Sequence, residues 1–524
     1  RQIILDLNEL SNIPRMVYAN NRIERLSISY NRLSSISRDL FVSLKNSLEH
    51  LEVEHNRLFQ LPDSVAQVAR LRHLSLAYNQ LEESPALPAR IQTLSLAGNF
   101  LTSIPSALQT LEPGSIRYLD LSYNRISNLL PNEFLDWSTS LGTINLRGNR
   151  IAQIYKNVFP PSMPLKEINL SFNDLYYVHP QSFSNLTSSL HVLESSSTLF
   201  SGYFPFEIAD GLENLSWMSF DNNDFHILKL SDITSFSYLK YLNLDYNRIV
   251  DIVIDDDYQN VSLSLSSLRV AYNFLTSLRC GTFTYMPELR NLDLSYNRIN
   301  NLTKHSFRNL PNLRYLSLAG NIIDSMETEA FANLPKLEIL ELQGNNFTYL
   351  SLNSFHNLSH VDVTFTLNVS RNCIRYIDGE TTLSINIFDG SYNDLHEVPN
   401  NFFMAVENSV RQIILSHNKI IHIQSEAFGD AANLEILDLH NNIINTVKRK
   451  SFSDLISLQI LDLSYNFISQ LSVEQFYNLN KLKYLKLSHN TLKLLPRDVF
   501  KNTLIEHLDM NNNDISLFPV TALS

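Results

Sequence analysis

The sequence predicts an α/β-type repeat solenoid, with a parallel β-sheet on the concave face and irregular or short helical turns on the convex face. Three observations predict it. The phrase LxxLxLxxNxL returns throughout the chain, as in Leu71–Asn79, Leu289–Asn297 and Leu458–Asn466. Its ninth-slot asparagines recur from Asn8 to Asn513 at a spacing of about 24 residues. A phenylalanine follows ten residues after the asparagine in many units, at 41, 134, 159, 183, 283, 307, 331, 355, 403, 428, 452, 476 and 500.

Each slot has a physical reason. Slots 3 to 7 alternate as a short strand whose slots 4 and 6 point inward, because successive strand side chains face opposite ways. The slot-9 asparagine falls where the chain leaves the strand. Its amide both donates and accepts, so successive asparagines can form a ladder between coils; Thr198 replaces the one missing member. A single coil cannot bury its apolar side, and stacking coils makes a continuous core. The regular phenylalanine offset reads as a spine filling the convex side, each ring contributing about 1.5–3 kcal/mol on burial.

Length alone suggests several domains, but the period predicts one continuous array over 1–524 of about 22 repeats, without terminal caps. The rhythm strains in two regions, the first being the repeat from Asn79 to Asn99, which is only 20 residues long. The repeat from Asn345 to Asn372 is long and that from Asn372 to Asn393 short, with Gly390 in an inward slot, so a kink or junction is expected at 365–395. A variant coil is expected at 194–211.

A net charge of −12 with interspersed charges argues against nucleic acid, which selects a basic stripe. Asp255–Asp257 and Lys448–Lys450 read as solvated turns. With only 12 glycines, and no HExxH, CxxC or GxSxG motif, the chain offers no catalytic constellation. Neither an enzyme activity, a cofactor nor a resident metal is expected. Cys280 and Cys373 lie about four coils apart, roughly 20 Å at strand spacing, too far to pair with each other.

Binding surface is the expectation that remains. Asn-x-Ser/Thr sequons occur at Asn169, Asn185, Asn214, Asn260, Asn301, Asn346, Asn357 and Asn368. All fall in the middle of the chain. Asn169 and Asn368 occupy outward slot 5, so glycans there would shield the hollow and leave the two ends bare. Slot 5 carries acid in many coils, among them Asp389, Asp438, Asp462 and Asp509. Slot 8 carries tyrosine repeatedly, with Tyr246, Tyr272 and Tyr296 in successive coils and Tyr241 and Tyr315 in nearby slot 3. Tyrosine suits protein interfaces, because a rigid ring presents large area at low entropic cost.

The phrases LDLSYNRI (119–126 and 292–299), LPKLEIL (334–340), TFTLNVSRNCIRYI (364–377) and the aberrant coil at 188–220 resemble chaoptin-like proteins, insect leucine-rich-repeat molecules of the cell surface that include artichoke. The 24-residue subtype with convex phenylalanine resembles extracellular leucine-rich-repeat proteins, which form horseshoes. The resemblance implies a cell-surface, lipid-anchored adhesion protein, as on photoreceptor microvilli. Its partner would be another copy of itself, with membrane contact only through an anchor outside this sequence. The alternative is an extracellular-matrix or receptor module that binds a different protein.

Overall fold

A computed structural model describes residues 1–19, 22–131, 133–161, 163–203, 211–253, 262–358, 363–379, 381–406, 409–429 and 431–519. Asn260, Asp255–Asp257 and residues 204–210 of the 194–211 coil lie outside them. The chain forms two compact units, Arg1–Arg248 and Ile249–Ser524.

In the first unit, strands run from Gln2–Ile4 to Tyr241–Asn243; in the second, from Ser267–Arg269 to His507–Asp509. Each unit stacks its strands in parallel and in strict register, so that Leu292 lies beside Leu268 and Leu316. The regular strand is shorter than the slot pattern predicts and covers slots 3 to 5. Pairing nevertheless continues past it: the Leu294 N–H donates to Ser317 O at 2.9 Å, and the Tyr296 N–H to Ala319 O at 2.7 Å.

What ends the strand is slot 8. In every coil this residue has a positive φ, between 49° and 69°, whether it is tyrosine, histidine, phenylalanine or glycine. The left-handed residue turns the chain sharply and aims the following asparagine into the core. Asn297 shows the pattern. Its Nδ2 donates to Val270 O at 2.8 Å and Leu294 O at 3.0 Å, while its Oδ1 accepts from the Leu275 N–H at 3.0 Å. One side chain thus bonds buried backbone groups of two coils, and the next asparagine shares Leu294 O at 3.0 Å. Thr198 bonds instead to the next ladder asparagine, donating its hydroxyl to Asn223 Oδ1 at 2.6 Å.

The phenylalanine spine forms as the offset predicts. Phe283, Phe307, Phe331 and Phe355 stack at 5.3–5.6 Å between ring centroids, and Phe428, Phe452, Phe476 and Phe500 continue it at 5.7–6.3 Å. The convex side is more regular than expected at 307–358, where Phe307–Arg308, Phe331–Leu334 and Phe355–Leu358 pair as a small parallel sheet. Helices cover the convex side at Arg38–Leu44 and Asn400–Val406. Gly390 leaves no gap in its inward slot: an added Cβ would stand 2.8 Å from the Phe388 ring, which fills the space. Cys280 and Cys373 are both exposed thiols. Among the described residues, no helix is long and apolar enough to cross a membrane.

Candidate protein-binding surface

Two rows of side chains run along the coils and could meet a partner. The first is slot 5, on the open face of the sheet. Its acids are bound more tightly than an acidic stripe implies. Asp293, Asp389, Asp438, Asp462 and Asp509 each accept the N–H two residues on, at 3.0–3.2 Å. Asn169 and Asn368 make the same bond at 2.9 and 3.0 Å. These short polar side chains secure the backbone that follows the strand, a local role that favours Asp and Asn wherever a chain turns.

Several of these carboxylates also have side-chain partners. Lys486 Nζ lies 2.9 Å from Asp462 Oδ2, His440 Nδ1 lies 2.6 Å from Asp438, and Arg269 pairs with Asp293 at 3.2 Å. Burial works to raise the Asp462 pKa, but hydrogen bonds from Ser464 and Lys486 outweigh it and hold the carboxyl below its ordinary value. The Asp462 hydrogen bond raises the Lys486 pKa in turn. Ligand atoms of Asp438, His440 and Asp462 come within 4.8 Å of one another, the one such group among the described residues. The Lys486 ammonium already supplies positive charge there. Burial raises the pKa of Glu194 and of Glu341, which accept the amides of Asn169 and Asn368 respectively.

The second row is slot 8, along the edge where the strands end. Tyr30 stacks on His55 at 4.2 Å and His55 on Tyr78 at 4.3 Å. Tyr272 stacks on Tyr296 at 4.4 Å, Tyr392 on His417 at 4.1 Å and Tyr465 on His489 at 4.1 Å. Offset ring pairs of this kind add about 0.5–1.5 kcal/mol beyond their burial. Where the next coil has glycine, the ring lies over it, as Tyr78 over Gly98, Tyr123 over Gly148 and Tyr296 over Gly320. The rings still face water: Tyr246, Tyr272 and Tyr296 are 40–52% exposed. Packing against the neighbouring coil and presenting a surface are therefore properties of the same side chains. Tyr241 and Tyr315 are half-buried in slot 3; Tyr241 stacks on Trp217 at 3.6 Å, and burial raises the Tyr315 pKa.

The sequons divide by environment. Asn301, Asn346 and Asn357 are exposed, and Asn357 donates its Nδ2 to Asn333 Oδ1 at 2.9 Å. Asn169, Asn185, Asn214 and Asn368 are half-buried with their Nδ2 atoms donating, the middle two to Phe159 O and Ser188 O at 2.9 Å each. Sequence reasoning missed the left-handed slot, the slot-5 bond to the following backbone and the convergence of His440 on Asp438. The first leaves a compositional trace, since slot 8 is rich in tyrosine, glycine, histidine and asparagine.

A leucine-rich-repeat model matches residues 21–81, 264–323, 311–374, 408–468 and 456–515, more than half of the chain, and a second matches 115–137. Podocan-like protein 1 of Mus musculus is 26% identical over 283 residues, covering 47% of each chain. Lumican of Homo sapiens is 29% identical over 266 residues, covering 49% of this chain and 68% of lumican. The chain spans about half the length of podocan-like protein 1. Among solved structures, the Toll–Spatzle complex of Drosophila superposes with a TM-score of 0.62 at 17% identity, covering 94% of this chain and 81% of that one. YopM of Yersinia enterocolitica gives 0.55 at 22%, covering 97% and 91%. These two likenesses concern the fold. Repeat phrase, asparagine ladder, stacked parallel coils and family match agree, and the chain belongs to the leucine-rich-repeat family.

Proposed function

We propose that this chain is an extracellular adhesion ectodomain that recognises another copy of itself across apposed membranes, as one continuous array of repeats. The observation that carries the reading is the slot-8 row. Its rings are fixed by a left-handed backbone and by stacking, so they meet a partner with little further loss of rotamer freedom. Repeated coil after coil, weak contacts of this sort give avidity between surfaces that each carry many copies. Relatives such as lumican and podocan-like protein 1 support the extracellular setting, with glycans at the exposed Asn301, Asn346 and Asn357. The slot-5 acids, being partly matched and tied to the backbone, contribute less to recognition than the rings.

Those same relatives favour a second reading, a matrix or receptor module for a different protein. Sedimentation velocity of the glycosylated chain across a concentration series separates the two. Self-recognition predicts a dimer that grows with concentration and is lost in the Tyr272→Ser, Tyr296→Ser double variant. A strict monomer whose coated beads also fail to cluster would overturn it in favour of a different ligand.

A further inference from the structure

A trough of about 210 Å³ lies on the open face of the first unit's sheet, across the coils of Asn124, Asn149, Asn173 and Thr198. In-register pairing sets Tyr118, Thr143, Glu167 and Val192 side by side in slot 3, and Asn145, Asn169 and Glu194 side by side in slot 5. The Tyr118 ring, 36% exposed, is the aromatic wall at one end, and Val192 and Glu194 close the other.

The acids of this trough are less satisfied than Asp293 and Asp462. Those two have basic partners, whereas among the described residues Glu167 and Glu194 have none. Arg147 also acts on Glu194, but its guanidinium goes to the Tyr123 hydroxyl at 2.9 Å and over the Phe172 ring, 4.1 Å from its centroid. Asn145 Oδ1 accepts the Arg147 N–H at 3.1 Å, while its Nδ2 has no acceptor among the described residues. Carboxylate acceptors, a spare amide donor and a ring face together suit a neutral, hydroxyl-rich ligand. Its O–H groups donate to the carboxylates, and its C–H face lies on the electron-rich ring.

The sequence places such a ligand at the trough's floor. Asn169-Leu170-Ser171 is a sequon, and its asparagine lines the trough. Asn169 Oδ1 accepts the Ser171 N–H at 2.9 Å and Nδ2 donates to Glu194, which uses one of the two amide hydrogens. N-glycosylation replaces the other. We infer that Asn169 carries an N-linked glycan whose inner sugars sit in this trough against Tyr118, covering these coils against a protein ligand. The transfer forms the Nδ2–C1 bond as the C1–O bond of a lipid pyrophosphate-linked oligosaccharide breaks; the lipid pyrophosphate leaves and the amide proton passes to solvent. It takes place on the unfolded chain, so the half-burial of Asn169 in the folded coil is no obstacle. Tyr118 stands two coils away, about 10 Å at strand spacing, within reach of those sugars. The inference rests on the extracellular reading and leaves the slot-8 edge as the surface that meets a partner.

The test uses the whole chain from a glycosylating host, digested undenatured with peptide N-glycosidase and followed by glycopeptide mass spectrometry. Asn169 is expected to carry sugar and to lose it about tenfold more slowly than Asn301, Asn346 and Asn357, because only the unseated fraction is open to the enzyme. Tyr118→Ser leaves Asn169 and both its bonds in place, yet should abolish most of that protection while the other three rates stay unchanged. Sugar at those three with Asn169 bare, or a rate at Asn169 indifferent to Tyr118→Ser, would overturn the inference. Bare asparagine at all four would overturn the extracellular reading along with it.

Discussion

The coils between Asn297 and Asn345 and those between Asn345 and Asn393 are built from the same phrase, yet only the first stretch keeps its phenylalanine stack unbroken. In the regular stretch, the sheet, the asparagine ladder and the phenylalanine stack all continue from coil to coil. In the irregular one the ladder is intact. Asn393 donates to Val369 O at 3.0 Å and Gly390 O at 3.1 Å, and accepts from the Ile374 N–H at 2.9 Å. What fails is the phenylalanine stack, because Thr382 holds the position after Phe355. Ladder and sheet thus set the stacking, and the residues after the asparagine are free to vary.

That contrast can be tested at its strongest point by removing the ladder. Asn297→Ala and Asn393→Ala each leave a buried N–H, that of Leu275 or Ile374, without its acceptor. Leu294 O keeps Asn321, and Val369 O and Gly390 O keep Asn372 and Asn418, so each variant should lose about 2–3 kcal/mol in urea unfolding. Equal losses are expected. A much smaller loss at Asn393 would mean that the irregular coils are already loosened at the ladder.

A smaller effect separates two glycines of the same conformation. Gly320 and Gly344 have φ of 65° and 67°, but an added Cβ meets the Tyr296 ring at 2.6 Å in the first and nothing nearer than 3.6 Å in the second. Gly344→Ala bears only backbone strain, about 1 kcal/mol. Gly320→Ala must also displace the ring, and its melting temperature should fall further. Equal falls would show that the stacked row yields freely.

The smallest effect concerns pH. Burial raises the folded Glu341 pKa, so folding favours its protonated form. This contribution is fully present below the unfolded pKa and is lost as pH rises through the folded one. Glu341→Gln, which mimics the protonated group, should raise stability at neutral pH by roughly a few tenths of a kcal/mol, since solvent still screens the site. Near pH 3.5 the gain should vanish; a gain unchanged there would assign it to something other than charge.

The fold was legible because period and burial coincide. Slots 4 and 6, the asparagine and the phenylalanine offset each name a position in the core, and Leu292, Leu294, Asn297 and Phe307 are all buried there. The surface was less legible. Asp438 and Asp462 look alike in sequence, but their bonds to His440 and Lys486 come from a neighbour in the turn and a neighbouring coil, and a charge pattern does not reveal how far each is matched. Tyr272 and Tyr296 were visible as a row, whereas the left-handed backbone that holds them was not, because tyrosine does not favour that conformation on its own. The irregular coils were half legible: unequal repeat lengths marked the place, while the ladder that runs intact through it shows only in the bonds of Asn393.

The glycines beneath the rings have a consequence for how such an array can change. Tyr78 with Gly98, Tyr123 with Gly148, and Tyr296 with Gly320 are matched across coil boundaries. Duplicating or deleting one coil within such a pair would set a ring against a different neighbour, even with the leucines and asparagines in perfect phase. The coils share one grammar but are not interchangeable words, and their order is itself inherited information.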